Sequence, residues 1–278
     1  MDDLGDSAIL KKVEKCRWDF SRWNWNVFRN VRKELEKKKK ILLIQVEREA
    51  LISGLNCKIR ELKSEVNFFL NKEARLWSQR SRVFWLKNGD NNTKFFHNKA
   101  TKRHRKNSIR GIFDESNSWQ DQSNEIAGAL LKCYHEFFSM AFPNSLNATL
   151  NFSPHVITEE MNNLLTGEFL ECEVTTALKQ MSSLKAPGTD EMPLICYQHF
   201  WQVVDIDVVR SILSWLNLGT LPHHINHTFI TLIPKIKNSE LVHEYRPISL
   251  CNVLYKILSK VLANRLNKVL PNIITEHQ

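Results

Sequence analysis

From Asn26 to about Leu86 apolar residues return at steps of mostly three, four or seven: Val31, Leu35, Leu42 and Val46, then Leu55, Ile59, Leu62, Val66, Phe69 and Leu70. That spacing draws one apolar stripe along a helix. Gly54 interrupts the stripe and predicts a break between two long helices packed as an antiparallel pair. No proline precedes Pro143, so nothing stops long helices in this part of the chain. A helix over 123–141 is predicted by Ile126, Leu130, Tyr134, Phe137 and Phe138 on one stripe. Further helices are expected over 171–183 and 193–218. A last one, over 253–270, turns Leu254, Ile257, Leu258, Val261, Leu262 and Leu266 inward and Lys256, Lys260, Arg265 and Lys268 outward. Strand patterns are fewer. Ile109–Phe113 alternates and is followed by a polar stretch and Trp119, which predicts a small hairpin. Thr228–Ile233 and Tyr245–Leu250 read as two runs able to pair antiparallel, and residues 142–157 as a surface connection. The pattern as a whole predicts a helix-rich α+β fold: long helices first, a short hairpin, then a small antiparallel sheet flanked by helices.

Charge changes this picture by dividing it. The 278 residues carry a net charge of +9. Residues 1–110 hold 28 Lys and Arg against 13 Asp and Glu, whereas the rest holds 11 against 17. A polyanion-facing half joined to a more neutral folded half is the expected organisation. Six scattered cysteines include no CxxC pair, which excludes a local zinc knuckle and a disulfide framework and fits an intracellular protein. The acidic N-terminus lacks an apolar signal core, and no apolar run approaches a membrane span.

The densest chemistry lies at 94–110. Lys94, Lys99, Lys102, Arg103, Arg105, Lys106 and Arg110 follow a predicted Asn88-Gly89-Asp90 turn and a helix start near Asn91–Thr93, with Phe95 and Phe96 as anchors. Such a cluster attracts a nucleic-acid backbone with strong salt dependence; a basic helix without a ligand is the plain alternative. Trp18, Trp23 and Trp25 alternate with Arg17, Arg22 and Arg29. They suit stacking on unpaired bases, but burial of one helix face against a neighbour is the preferred reading. Lys235 and Arg246 stand at the edges of the two later strand runs, a point charge and a planar fork suited to gripping a polyphosphate, or simply two surface cations. His223, His224 and His227 imitate a zinc motif without its helix or glutamate. Asp205 and Asp207 stand two apart on a helix and face different sides. No metal ligand is assigned from either.

Two blocks carry a resemblance. One is TLIPKIKNSELVHEYRPISL from Thr231 and the residues after it; the other is VFWLKNGDNNTKFFHNKATKRHRKNSIRGIFDE, with Trp85, Leu86, Gly89, Asp90, Asn92, Thr93, Lys94, Phe95, Phe96 and His97. Together they resemble reverse transcriptases of non-LTR (LINE-type) retrotransposons, the plant group in particular. A third stretch, Lys185-Ala186-Pro187-Gly188-Thr189-Asp190, resembles that family's KAPGPDG loop, with Thr189 and Glu191 departing from it. If the position of Glu191 needs a positive φ, the side chain there is strained.

The resemblance implies a basic helical region (1–108), a hairpin, helix and connection (109–157) and the incomplete fingers part of an RNA-directed DNA polymerase (158–278). It implies triphosphate binding by Lys235 and Arg246 and template or primer contact by Lys185, Gly188 and Asp190. RNA and DNA are the implied partners, without a membrane, and the nucleus the implied location. Magnesium, held by palm aspartates, would serve an intact family member. No aspartate follows Asp207 here, so no catalytic residue is assigned and no cofactor is expected on this chain. The expectation is a truncated, inactive reverse transcriptase that still binds RNA or DNA and associates with itself or aggregates through uncovered apolar faces. A non-catalytic nucleic-acid-binding or protein-interaction remnant, or a pseudogene product without function, are the alternatives.

Overall fold

The computed structural model describes residues 3–27, 31–49, 56–81, 93–139 and 156–274. In order these form α1 (Asp3–Val27), α2 (Val31–Glu49), α3 (Asn56–Ser81), α4 (Thr93–Asn107), β1 (Ile112–Phe113), β2 (Trp119–Gln120) and α5 (Ser123–Phe138). Then follow α6 (Glu159–Thr166), α7 (Glu171–Gln180), α8 (Leu194–His199), α9 (Trp201–Leu218), β3 (Phe229–Pro234), β4 (Tyr245–Leu250) and α10 (Val253–Ile273). The fold is helix-rich α+β, with two small two-stranded sheets, β1–β2 and β3–β4, among the described residues. Gly54, the 82–92 turn region with Trp85, Leu86, Gly89, Asp90 and Asn92, and most of the 142–157 connection lie outside the described residues.

The chain folds into two compact units. One takes residues 1–17, 127–232 and 247–278; the other takes 18–126 and 233–246.

In the first unit α10 is the centre. Val253, Leu254, Ile257, Leu258 and Val261 are buried, joined by Val174, Ala177 and Leu178 of α7 and by Val208, Ile212 and Trp215 of α9. The start of α1 completes this core with Ile9, Leu10 and Val13. Two exposed ion pairs also tie α1 down, Lys12 to Asp207 (2.6 Å) and Arg17 to Glu191 (3.3 Å). Asn252 caps α10: its side chain accepts the Tyr255 N–H. The predicted 193–218 helix is two helices, broken at Phe200 between α8 and α9.

The inward face of α10 differs from its pattern. Leu262 and Leu266 are exposed, and Arg265, expected outward, is only 6% exposed. Its Nε donates to Glu173 Oε1 (2.8 Å) and its Nη2 to Glu173 Oε2 (2.7 Å). Its Nη1 donates to the carbonyls of Leu165 and Gly167 at the end of α6, its Nη2 donates also to that of Glu168, and the guanidinium lies 3.6 Å from the Phe169 ring centroid. A guanidinium is tolerated in the interior when its donors are met by a carboxylate, carbonyls and an aromatic face. Hydrophobic periodicity is blind to such a partner set, which explains the reversal.

The second unit is built on α2 and α3. Two helices in contact across a connection of six residues return the chain antiparallel, as predicted. Leu35, Ile59, Val66 and Ala74 are buried, and Lys38 Nζ reaches Glu65 at 2.6 Å. Helix α4 packs on α3 through buried Phe96, while the His97 ring lies 3.5 Å from that of Trp77.

Several large apolar side chains of α5 and α1 are exposed. In α5, Phe137 and Phe138 of the predicted stripe are exposed, as is Leu131 beside it. The α1 tryptophans go the same way: Trp18 is 67% exposed, and Trp23 and Trp25 are also exposed. The preferred burial of that helix face against a neighbour is therefore overturned. Interleaved arginines keep the same turns polar, so the face does not have the continuous apolar surface that packing needs. No described helix is long and apolar enough to cross a membrane.

Candidate nucleic-acid interface

Helix α4 carries Lys94, Lys99, Lys102, Arg103, Arg105 and Lys106, and Arg110 follows it; all seven are exposed. Lys99, Lys102, Arg103 and Lys106 fall at i, i+3, i+4 and i+7, so they form one exposed stripe on a helix that buried Phe96 anchors. Concavities flank the helix. One, of about 480 Å³, is lined by Trp77, Arg80, Arg103 and His104, with the Arg80 guanidinium 5.1 Å from the Trp77 ring centroid. The other, of about 720 Å³, is lined by Arg105, Lys106, Arg110, Trp119, Lys237 and Tyr245, among others. Of the cations singled out in the sequence, the fold therefore gathers Arg105, Lys106 and Arg110 into one cleft. Lys237 and the Trp77–Arg80 pair join the basic surface without any signal in the sequence reading. Their positions, a polar loop and an amphipathic helix, do not distinguish them from solvated cations.

Lys235 and Arg246 are both exposed, at the end of β3 and in β4. The Lys235 N–H donates to the Glu244 carbonyl (2.8 Å), which closes the hairpin, and its ammonium donates to the His243 carbonyl (2.8 Å). The loop between the strands is tied to itself. Glu244 accepts the N–H groups of Glu240 and Leu241, and these hold its carboxyl below the ordinary carboxylate range.

The 185–190 loop lies in the first unit, where Lys185 is exposed. Gly188 and Asp190 hold the loop against the start of α10. A Cβ on Gly188 would come under 3.0 Å from the Cys251 carbonyl and the Asn252 nitrogen. Asp190 accepts the Val253 N–H (3.2 Å) and the Met192 N–H (3.3 Å), and Lys256 Nζ donates to the Ala186 carbonyl (3.0 Å). Burial pushes the Asp190 carboxyl up, against the pull of these N–H groups, and pushes the Lys256 ammonium down.

Glu191 has φ +54, the left-handed conformation that glycine takes without strain. Its ion pair with Arg17 is exposed and offsets little of that cost. Glu191→Gly is therefore expected to stabilise the protein by roughly 0.5–1 kcal/mol, read as a higher thermal midpoint.

Among the described residues no group of three His, Cys, Asp or Glu side chains is arranged to hold a metal ion. Asp207 pairs with Lys12, and the ring centroids of His224 and His227 are 6.5 Å apart.

No protein-family model matches the chain. Over 227 residues, 81% of its length, it is 26% identical to the "Transposon TX1 uncharacterized 149 kDa protein" of Xenopus laevis. The chain is similar to a transposon-encoded protein. That likeness supports a transposon-related origin, and the chain spans 17% of the relative's length.

Proposed function

We propose that this chain is the nucleic-acid-binding part of a retrotransposon-derived reverse transcriptase of the non-LTR type, and that alone it binds RNA or DNA without polymerising. The observation that carries the reading is the Lys99–Lys102–Arg103–Lys106 stripe on a helix anchored by Phe96, with further cations in concavities on its flanks. A stripe of this kind follows a phosphate backbone, and each neutralised phosphate adds to the salt dependence. In this reading Lys235 and Arg246 contribute to phosphate contact on the β3–β4 hairpin, and Lys185 is the exposed cation of the 185–190 loop.

The triple variant Lys99→Glu, Lys102→Glu, Arg103→Glu tests it. Anisotropy of a labelled RNA duplex is expected to show a loss of on the order of 100-fold at moderate salt, with a shallower salt slope. An unchanged affinity and slope would assign binding to another surface.

A further inference from the structure

The 720 Å³ cleft differs in kind from the α4 stripe. It lies wholly in the second unit, between the end of α4, the β1–β2 hairpin and the β3–β4 loop. Four cations line it: Arg105, Lys106 and Arg110 from one side and Lys237 from the other. Among the described residues none of the four forms an ion pair, although Glu240 also lines the cleft.

Its wall includes Trp119, which is 44% exposed. The indole is held from behind. It lies so close to Gly111 that a Cβ there would overlap the ring, and Phe113 meets it edge-on at 5.0 Å. Any residue but glycine at 111 would push the ring out of place.

The walls are fixed before any ligand arrives. Asp114 closes the β1–β2 turn by accepting from Ser116, Ser118 and Gln120; the Ser118 N–H contributes most to holding its carboxyl below the ordinary range. The β3–β4 loop is docked on the hairpin by the Phe113 N–H on the Glu240 carbonyl (2.8 Å). Tyr245 donates to the Ser239 carbonyl (2.8 Å) and steadies the loop that presents Lys237. Asn238 beside it takes φ +57, a conformation asparagine tolerates.

A rigid, half-open indole beside four unpaired cations is the chemistry that receives an unpaired base and its phosphates. A duplex keeps its bases inside the stack and offers the indole nothing. We infer that this cleft binds a nucleotide or two of single-stranded nucleic acid, with a base stacked on Trp119 and its phosphates held by Arg105, Lys106, Arg110 and Lys237. The inference rests on the proposed nucleic-acid binding but adds a site and a preference for strands over duplexes. Its volume falls within the roughly 300–1,000 Å³ of pockets that enclose small ligands.

The experiment uses the full 278-residue chain, a short fluorescein-labelled oligouridylate, and the same strand paired with oligoadenylate. Trp119→Leu is expected to weaken single-strand binding about tenfold, the worth of one base stack, and to leave duplex binding within about twofold. Trp119→Phe restores most of the loss, which a merely structural role in the hairpin does not require. Lys237→Gln, in an exposed loop, lowers the single-strand salt slope by about one phosphate. Single-strand binding that is unchanged in Trp119→Leu and Lys237→Gln overturns the inference, as does an equal loss on both probes. The triple variant on α4 avoids the lining residues, so its loss of duplex binding alongside an inert Trp119 would remove this site and leave the proposed function standing. No binding of either probe by the unaltered chain would remove both.

Discussion

Arg265→Ala is expected to destabilise the first unit by about 3–5 kcal/mol, seen as a lower urea midpoint with an unchanged slope. The substitution leaves Glu173 without its fork and the carbonyls of Leu165, Gly167 and Glu168 without their donor, all close to the core. Arg265→Lys rescues little, because an ammonium cannot hold both carboxylate oxygens, reach three carbonyls and stack on Phe169 at once. The same pair sets a pH dependence. The Arg265 hydrogen bond, first among its causes, holds the Glu173 carboxyl below its ordinary value of 4.5. An acid depressed in the folded state adds stability that is complete above its unfolded value and is lost as pH falls through the folded one. The gap in stability between the native chain and Arg265→Ala therefore narrows as pH drops below about 4.5.

Gly188→Ala is expected to cost about 3 kcal/mol, by the same urea measurement. The added methyl meets backbone of Cys251 and Asn252, which has no rotamer through which to yield. Those atoms precede the first turn of α10, where Asn252 and Asp190 satisfy free N–H groups, so displacing the loop also uncaps the helix. A variant that kept its midpoint would show that the loop can lift off at little cost. The closeness of Gly188 to the helix would then be incidental.

The helices were legible because the apolar steps of α2, α3 and α9 repeat the geometry that buries them; Leu35, Ile59, Val66, Val208 and Ile212 all end up inside. The β1–β2 hairpin was legible from its alternation and polar turn. The strain at Glu191 was legible only through the resemblance to the KAPGPDG loop, which has glycine at that place. Contacts made by polar atoms at long range were not legible. Arg265 reads as one more cation on an amphipathic helix until Glu173, 92 residues away, supplies its carboxylate. Lys237 and Trp119 gain meaning only when the β3–β4 loop docks on the β1–β2 hairpin and encloses a space with the end of α4. The tryptophans of α1 misled in the opposite sense, since size alone favours burial and the arginines between them decide against it.

The first unit is assembled from segments far apart in sequence: Ile9, Leu10 and Val13 of α1 share a core with Val174–Leu178 of α7 and Val253–Val261 of α10. On the ribosome α1 therefore waits for well over a hundred residues before α7, the first of its partners, exists. At ordinary elongation speeds that is on the order of tens of seconds. Throughout that interval its greasy side is available to chaperones, or to the opening helix of a neighbouring nascent chain. Yield in cells should then depend on translation speed and holdase supply more than on the thermodynamic strength of the finished core.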